Sequence, residues 1–213
     1  MPIGREHIVV AIASKQAVPT IVNLIHFRGE LSQLAIRLLA CILSFPQIQN
    51  SALRTPVIQL LLANLTATAN FGTQIDAACA LAAITSTEVA KYSAVDNGAI
   101  PPLVAALSSS LPTLKQMAVR AVNNMASVKP GRQAAYAAGA VQPLVALLDP
   151  RSPNPNLQYD TLQALKYIAT LHSTARKNMN KCGAFWILKG FEEAPLELQK
   201  VAEDLRDELR STR

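Results

Sequence analysis

Aromatic residues, charged residues and cysteines are all scarce in this chain of 213 residues, and each scarcity excludes a class of protein. Aromatics make up 5% and charged residues 16% of the sequence, whereas hydrophobic residues make up 50%. A chain so apolar and so weakly charged is not expected to be disordered. Its three cysteines are far apart, which excludes a disulfide framework and a zinc site with closely spaced ligands. We expect them to be buried apolar residues in a reducing compartment.

Membrane spans, targeting signals and enzyme motifs are also missing. The apolar residues occur in short runs, far below the roughly 20 residues that a membrane helix needs, and the first residues lack the pattern of a signal peptide. No phosphate-binding glycine loop, nucleophile elbow or metal-ligand spacing is present. These absences predict a non-enzymatic protein of the cytoplasm or the nucleus, with no metal or other cofactor.

The charge of the chain is unevenly distributed. Residues 111–190 contain ten Lys or Arg against two Asp, a net charge of +8, whereas residues 191–213 have a net charge of −3. The excess of cations predicts an acidic partner for the central region. The basic cluster Arg176, Lys177 and Lys181 is interpreted as a solvated ridge. Nucleic acid is disfavoured as a partner, because no aromatic residues are interleaved with these cations.

A degenerate repeat runs along the sequence. The segment Gly-Ala-Ile-Pro-Pro-Leu-Val-Ala-Ala-Leu at 98–107 matches Gly-Ala-Val-Gln-Pro-Leu-Val-Ala-Leu-Leu at 139–148, and a third copy begins at Gly183. Looser copies begin near Gln16 and Thr55. The first apolar residues after the proline position are Ile21, Val57, Leu103, Leu144 and Leu188, at intervals of 36, 46, 41 and 44 residues. Such intervals are typical of solenoids whose units have two or three helices.

Each unit has the same predicted structure. A short helix ends at a glycine that adopts the left-handed conformation, as at Gly98, Gly139 and Gly183. A second helix follows with proline in its first turn, where the amides have no intrahelical acceptor. A longer third helix has apolar residues at three- and four-residue spacing, as over residues 114–125. These helices bury their apolar faces only by stacking on neighbouring units.

These segments resemble the armadillo repeat: the Gly-Ala-Ile/Val-x-Pro-Leu-Val helix is followed by a long, Ala-rich helix, as in residues 117–126. A HEAT array is the alternative, but it lacks the sharp glycine turn. The resemblance implies an all-α, right-handed α-α superhelix of about five repeats, forming a single domain over residues 1–213. It also implies a scaffold or adaptor that binds an extended protein segment in a concave groove lined by the third helices.

The resemblance also locates the groove. In the nuclear-import branch of the family, Trp and Asn four residues apart on successive third helices bind basic peptides. At the Trp positions this chain has Arg37, Cys79, Arg120, Gln163 and Glu203. At the Asn positions it has Cys41, Ala83, Asn124, Tyr167 and Asp207. We refer to both sets as the ladder positions; only Asn124 fits the family pattern, which disfavours an import receptor.

The predicted binding site consists of Arg37, Arg120, Asn124, Gln163 and Tyr167. Arginine binds carboxylates and phosphates through paired donors, and the amide of Asn124 offers a donor and an acceptor to a peptide backbone. The predicted ligand is therefore an acidic or phosphorylated extended segment.

Two other functions stay open at this point. The apolar stretch from Ile8 to Ile12 would expose a surface for self-association if it ended the solenoid, which would make the protein a structural subunit or a homo-oligomer. A solenoid-type lyase is less favoured; it would need an acid facing the groove, and Asp76 and Glu88 are the candidates.

Overall fold

The computed structural model describes residues 17–27, 29–67 and 70–211, except for the side chains of residues 46 and 47. These ranges contain fourteen α-helices, one 3-10 helix and connecting turns, and no β-strand. The predicted all-α fold class is confirmed over these ranges. No described helix has the length and apolarity to cross a membrane. The stretch from Ile8 to Ile12 lies outside the described residues, so self-association through it stays a prediction.

The chain divides into two compact units, one ending at Pro102 and the other beginning at Leu103. The single domain over residues 1–213 therefore stays a prediction. The first unit contains α1 (Ala17–Leu24), α2 (Glu30–Ile42), α3 (Pro46–Ala52), α4 (Val57–Thr66), α5 (Phe71–Ile84) and α6 (Glu88–Asp96). Helix α7 (Ile100–Ala106) contains the boundary. The second unit contains α8 (Pro112–Ala126), α9 (Lys129–Ala137), α10 (Val141–Ala146), α11 (Pro155–Ala169), α12 (Ser173–Lys181), α13 (Ala184–Lys189), the 3-10 helix Gly190–Glu193 and α14 (Leu196–Arg210).

The core of the first unit lies between its two long helices, α2 and α5, which pack against each other. Ile36 and Leu39 of α2 and Leu81 and Ile84 of α5 are fully buried. These residues recur at three-residue spacing, so each pair projects from one side of its helix. Helix α4 covers α5 and helix α1 covers α2.

The second unit is built on a row of three long helices. Helix α11 packs against α8 on one side and against α14 on the other. Met125, Leu162, Leu165 and Leu205 are fully buried in this row. The predicted amphipathic pattern of residues 114–125 is confirmed, because most of its apolar residues are buried. Three polar residues of α11, namely Gln158, Asp160 and Thr161, are buried together with these apolar side chains.

The glycine turns have the predicted conformation. Gly98, Gly139 and Gly183 have φ values of 72°, 76° and 84°. Each lies between a first helix and the following second helix, and the second helix has proline near its start at residues 101 and 143. Left-handed glycine reverses the chain here at no steric cost, since it has no Cβ.

The prediction that the cysteines are buried is wrong for two of them. Cys41 and Cys182 are exposed, Cys79 is half-buried, and none of the three forms a disulfide. Cys41 lies four residues after Arg37 on α2, so it shares the solvent-facing side of that helix. Cys182 is the C-cap residue of α12 and follows the exposed Lys181.

Replacing Gly139 by Val should lower the free energy of unfolding by about 1–3 kcal/mol, because a β-branched residue is strained at positive φ. An added Cβ would meet no atom within 4 Å, so the loss would come from the backbone alone. Denaturant unfolding would measure it. Gly139→Asn is the control and should cost less, because Asn tolerates the left-handed region. Equal stability of the Val variant and the native chain would contradict this account.

Gly131 should be intolerant of alanine for a different reason. It lies inside α9, where a Cβ would collide with the backbone oxygen of Met125 at the end of α8. Alanine normally stabilises a helix interior relative to glycine, yet Gly131→Ala should destabilise by about 1–3 kcal/mol through overpacking. Thermal unfolding would measure it against Ala137→Gly, an exposed change in the same helix. A Gly131→Ala variant as stable as the native chain would show that the two helices separate freely.

Candidate functional site

The structure places four of the five predicted site residues on two adjacent helices. Arg120 and Asn124 lie four residues apart on α8, so they share one side of that helix. Gln163 and Tyr167 have the same relation on α11, which packs against α8. Arg37 belongs to α2 in the first unit.

Arg120 is already paired with an acid of its own chain. Its Nε atom lies 3.3 Å from Oδ2 of Asp160 on α11. The other carboxylate oxygen of Asp160 accepts a hydrogen bond from Nδ2 of Asn123 at 2.9 Å. The Asp160 side chain is 12% exposed, whereas that of Arg120 is 43% exposed. The pair uses Nε alone, so the two terminal nitrogens of Arg120 stay outside it.

Arg37 makes the equivalent pair in the first unit. Its Nε atom lies 3.1 Å from Oδ2 of Asp76 on α5, with side chains that are 55% and 15% exposed. A second hydrogen bond accompanies each arginine–aspartate pair. A glutamine four residues before the arginine accepts it, and an asparagine six residues before the aspartate donates it. Nδ2 of Asn70 lies 3.2 Å from Oε1 of Gln33.

The same contact recurs in the second unit, where Nδ2 of Asn154 lies 3.1 Å from Oε1 of Gln116. Both asparagines are also the N-caps of their long helices: Oδ1 of Asn70 accepts from the amide of Gly72, and Oδ1 of Asn154 accepts from the amide of Leu157. We call this set of contacts the inter-helix clamp. Its members are Gln33, Arg37, Asn70 and Asp76 in the first unit, and Gln116, Arg120, Asn154 and Asp160 in the second.

The two α11 residues of the predicted site also have partners. Nε2 of Gln163 donates to the hydroxyl of Tyr159, one turn earlier, at 3.1 Å. Tyr159 is 39% exposed, so it adds an aromatic ring to the surface, which the ladder positions did not identify. The ring of Tyr167 lies 5.8 Å from the guanidinium carbon of Arg132. Tyr167 is half-buried.

Only two of the three cations predicted to form a solvated ridge on α12 are exposed to solvent. Arg176 is half-buried, and its Nη1 donates to the carbonyl of Ala169 at the end of α11. Arg132 donates in the same manner to the carbonyl of Ser127, which follows α8. Cations near a helix C-terminus satisfy its free carbonyls. Lys177 and Lys181 are exposed, as predicted.

The acids on the remaining helices are arranged differently. Asp76, one of the acids considered for a lyase, is bound by Arg37, and Glu88 is exposed at the start of α6. Glu203 and Asp207 are ladder positions on α14, and both are exposed. Within the described ranges, no three His, Cys, Asp or Glu side chains are grouped so that they could bind a metal ion.

Comparison with known proteins identifies the repeat. Residues 129–170, which comprise α9, α10 and α11, match the model of the Armadillo/beta-catenin-like repeat. A search of curated proteins found no match. The predicted armadillo resemblance is confirmed, and HEAT, the alternative, is not supported.

Solved structures, among them designed armadillo repeat proteins, are similar to this chain over nearly its full length. A crystal structure of an engineered protein is 29% identical, with a TM-score of 0.86 over 98% of this chain and 85% of that one. A designed armadillo repeat protein is 23% identical, with a TM-score of 0.87 over 97% and 87%. Another design, in complex with the peptide (KR)4, is 24% identical, with a TM-score of 0.83 over 97% and 87%.

The match at 129–170 defines α9, α10 and α11 as the first, second and third helices of one repeat, and it indicates how the adjacent helices correspond to them. Helices α12, α13 and α14 repeat the order of α9, α10 and α11, and α8 is the third helix of the preceding repeat. The inter-helix clamp therefore joins the long helices of successive helical repeats within each unit.

Removing the carboxylate of Asp160 should lower the free energy of unfolding by about 1–3 kcal/mol, because Asn123 and Arg120 lose a buried acceptor. Asp204→Ala is the matched control: Asp204 pairs with Lys166 at 2.6 Å but its side chain is 48% exposed. An exposed pair contributes about 1 kcal/mol or less. Denaturant unfolding of both variants would show the difference, and equal losses would mean that the clamp is no stronger than a surface ion pair.

Proposed function

We propose that this protein is an armadillo scaffold that binds an extended segment of a partner protein across the long helices of its second unit. An acidic or phosphorylated side chain of that segment is bound near Arg120 and Asn124. The observation that carries the proposal is the geometry of Arg120, whose side chain is 43% exposed and whose bond to Asp160 uses only Nε. A guanidinium has five N–H donors, so the terminal nitrogens remain for a second oxyanion.

Asp160 positions Arg120 rather than competing for the whole side chain. Its bond to Nε holds the guanidinium in one orientation. Arg120 therefore loses less conformational entropy when a ligand binds. Asp160 also offsets part of the free-energy cost of removing Arg120 from water, because this ion pair is formed before a ligand binds. Asn124, one turn later, can bond to the peptide group beside the anchored side chain.

The remaining residues extend the surface along α11. Gln163 and Tyr159 offer an amide and an aromatic ring on the helix that packs against α8. Aromatic rings add apolar contact area with few rotatable bonds. In the first unit, Arg37 is exposed and pairs with Asp76 through Nε, as Arg120 pairs with Asp160. We propose that Arg37 binds an acidic side chain by the same contact.

The comparison structures support the mode of binding. A design with the same fold is in complex with the peptide (KR)4. The acidic character of the proposed ligand rests on the charges of this chain, because residues 111–190 carry a net charge of +8 and Arg120 is a ladder position.

Arg120→Gln should weaken binding of an acidic or phosphorylated segment by about 2–5 kcal/mol, the cost of truncating one partner of a desolvated charge pair. Arg120→Glu should abolish binding, because it places an acid beside both the ligand and Asp160. Lys181→Glu makes the same charge reversal at an exposed site on α12 and should have little effect. Isothermal titration with the segment captured from a peptide array would measure the three affinities.

Binding should also weaken as salt is added, because the attraction is between charges. Circular dichroism should show that the Arg120→Gln protein stays folded. The proposal fails if Arg120→Gln binds as tightly as the native protein, or if an array of extended peptides yields only basic ligands.

A further inference from the structure

The formal charge of the long helices in the second unit changes sign along their row. Helix α8 carries two cations, Lys115 and Arg120, and no acid. Helix α11 carries one acid and one cation, Asp160 and Lys166. Helix α14 carries five acids and three cations. The row therefore runs from +2 through 0 to −2.

The ladder positions repeat this order on one side of the row. They are Arg120 and Asn124 on α8, Gln163 and Tyr167 on α11, and Glu203 and Asp207 on α14. Glu203 and Asp207 are exposed and lie four residues apart, so they share one side of their helix. Because α11 packs against both α8 and α14, the order of charges along the chain is also their order in space.

Ion pairs within the chain leave this order intact. Asp204 is bound by Lys166 of α11, and Asp207 by Arg210, one turn later, at 3.0 Å. Glu203 takes part in none of the ion pairs found among the described residues. The pair of Asp207 and Arg210 is exposed on both sides, and such pairs are weak enough for a ligand cation to compete with.

We infer that the segment bound by the second unit is zwitterionic, with its acidic side chains over α8 and its basic side chains over α14. This inference rests on the proposed function and specifies its ligand. A uniformly acidic segment that reached α14 would bring its carboxylates against Glu203 and Asp207, and like charges across an interface are repulsive. A uniformly basic segment would meet the same repulsion at Arg120.

The spacing of the two charged blocks follows from helix packing. Packed helices have axes about 8–10 Å apart, so α8 and α14 are separated by about 16–20 Å across α11. An extended chain rises about 3.3 Å per residue. The acidic and basic blocks of the ligand are therefore about six residues apart.

The test compares fluorescein-labelled peptides of equal length. One type has an acidic and a basic block separated by about five neutral residues, so that the blocks are about six residues apart, and it is made in both chain directions. The others have two acidic or two basic blocks in the same positions. Fluorescence anisotropy with the full chain should show that the better zwitterionic peptide binds about tenfold tighter than the all-acidic one, roughly the effect of two or three exposed ion pairs. The all-basic peptide should bind most weakly.

The variant that tests the basic end is Glu203→Lys with Asp207→Lys. It should reverse the ranking, so that the all-acidic peptide binds most tightly. The matched control is Glu193→Lys with Glu197→Lys, which makes the same change of net charge at exposed residues of the same repeat. Glu197 lies on a different side of α14 from Glu203, and this control should keep the native ranking. Circular dichroism and the unfolding temperature establish that both variants fold.

The outcomes separate this inference from the proposed function. If the all-acidic peptide binds the native chain as tightly as the zwitterionic peptides, and Arg120→Gln still weakens it, the inference is wrong and the proposed function stands. A ranking that Glu203→Lys with Asp207→Lys leaves unchanged, or that the control variant also reverses, overturns the inference as well. If no peptide binds, or if binding is indifferent to Arg120→Gln, both fail.

Discussion

The bond between an arginine of one long helix and an aspartate of the next is the constraint on which the other features of each unit depend. Apolar packing between long helices is non-directional, so it brings α8 against α11 without fixing how far one slides along the other. The bonds from Arg120 to Asp160 and from Asn154 to Gln116 do fix it, because each joins a defined atom on one helix to a defined atom on the next. The first unit uses the same four residue types in the same spacing.

This clamp also explains why the surface beside it is polar and ordered. Asp160 is nearly buried, and burial of an isolated carboxylate is costly unless it is paired. Arg120 and Asn123 supply the pairing, and in doing so they place a guanidinium at the surface in one orientation. Stability between repeats and the presentation of a binding group thus come from one contact.

Much of the fold could be predicted from the sequence because its signals are local. The left-handed turn at Gly139 needs only a residue without a Cβ, and the buried face of α8 needs only the 3.6-residue period. The inter-helix clamp was missed because it depends on which helix lies beside which. A signal was present: Asp76 and Asp160 follow their arginines by 39 and 40 residues, close to the length of one repeat.

The positions of the candidate site residues could be predicted from the sequence, but their side-chain partners could not. The ladder positions place Arg120, Asn124, Gln163 and Tyr167 on adjacent helices, as the structure has them. Sequence position gives the side of a helix, but it does not give the partners of a long side chain. Tyr167 therefore lies against Arg132 rather than standing alone. Cys41 is exposed because of its position on the solvent-facing side of α2, although cysteine as a residue type is usually buried.

Net charge and local charge have different roles in this protein. The excess of +8 over residues 111–190 includes cations whose side chains are bound within the chain, such as Arg132 and Arg176 at helix ends. Such groups still attract an anionic partner over a distance of about one Debye length. They do not form the contact itself. The contact depends on the few charges at the ladder positions, where Arg120 and Glu203 differ in sign. Different residues therefore determine the attraction of a partner and the affinity of the complex. The second unit as a whole would attract a partner rich in acidic residues. That partner would bind tightly only if its own charges follow the order of α8, α11 and α14.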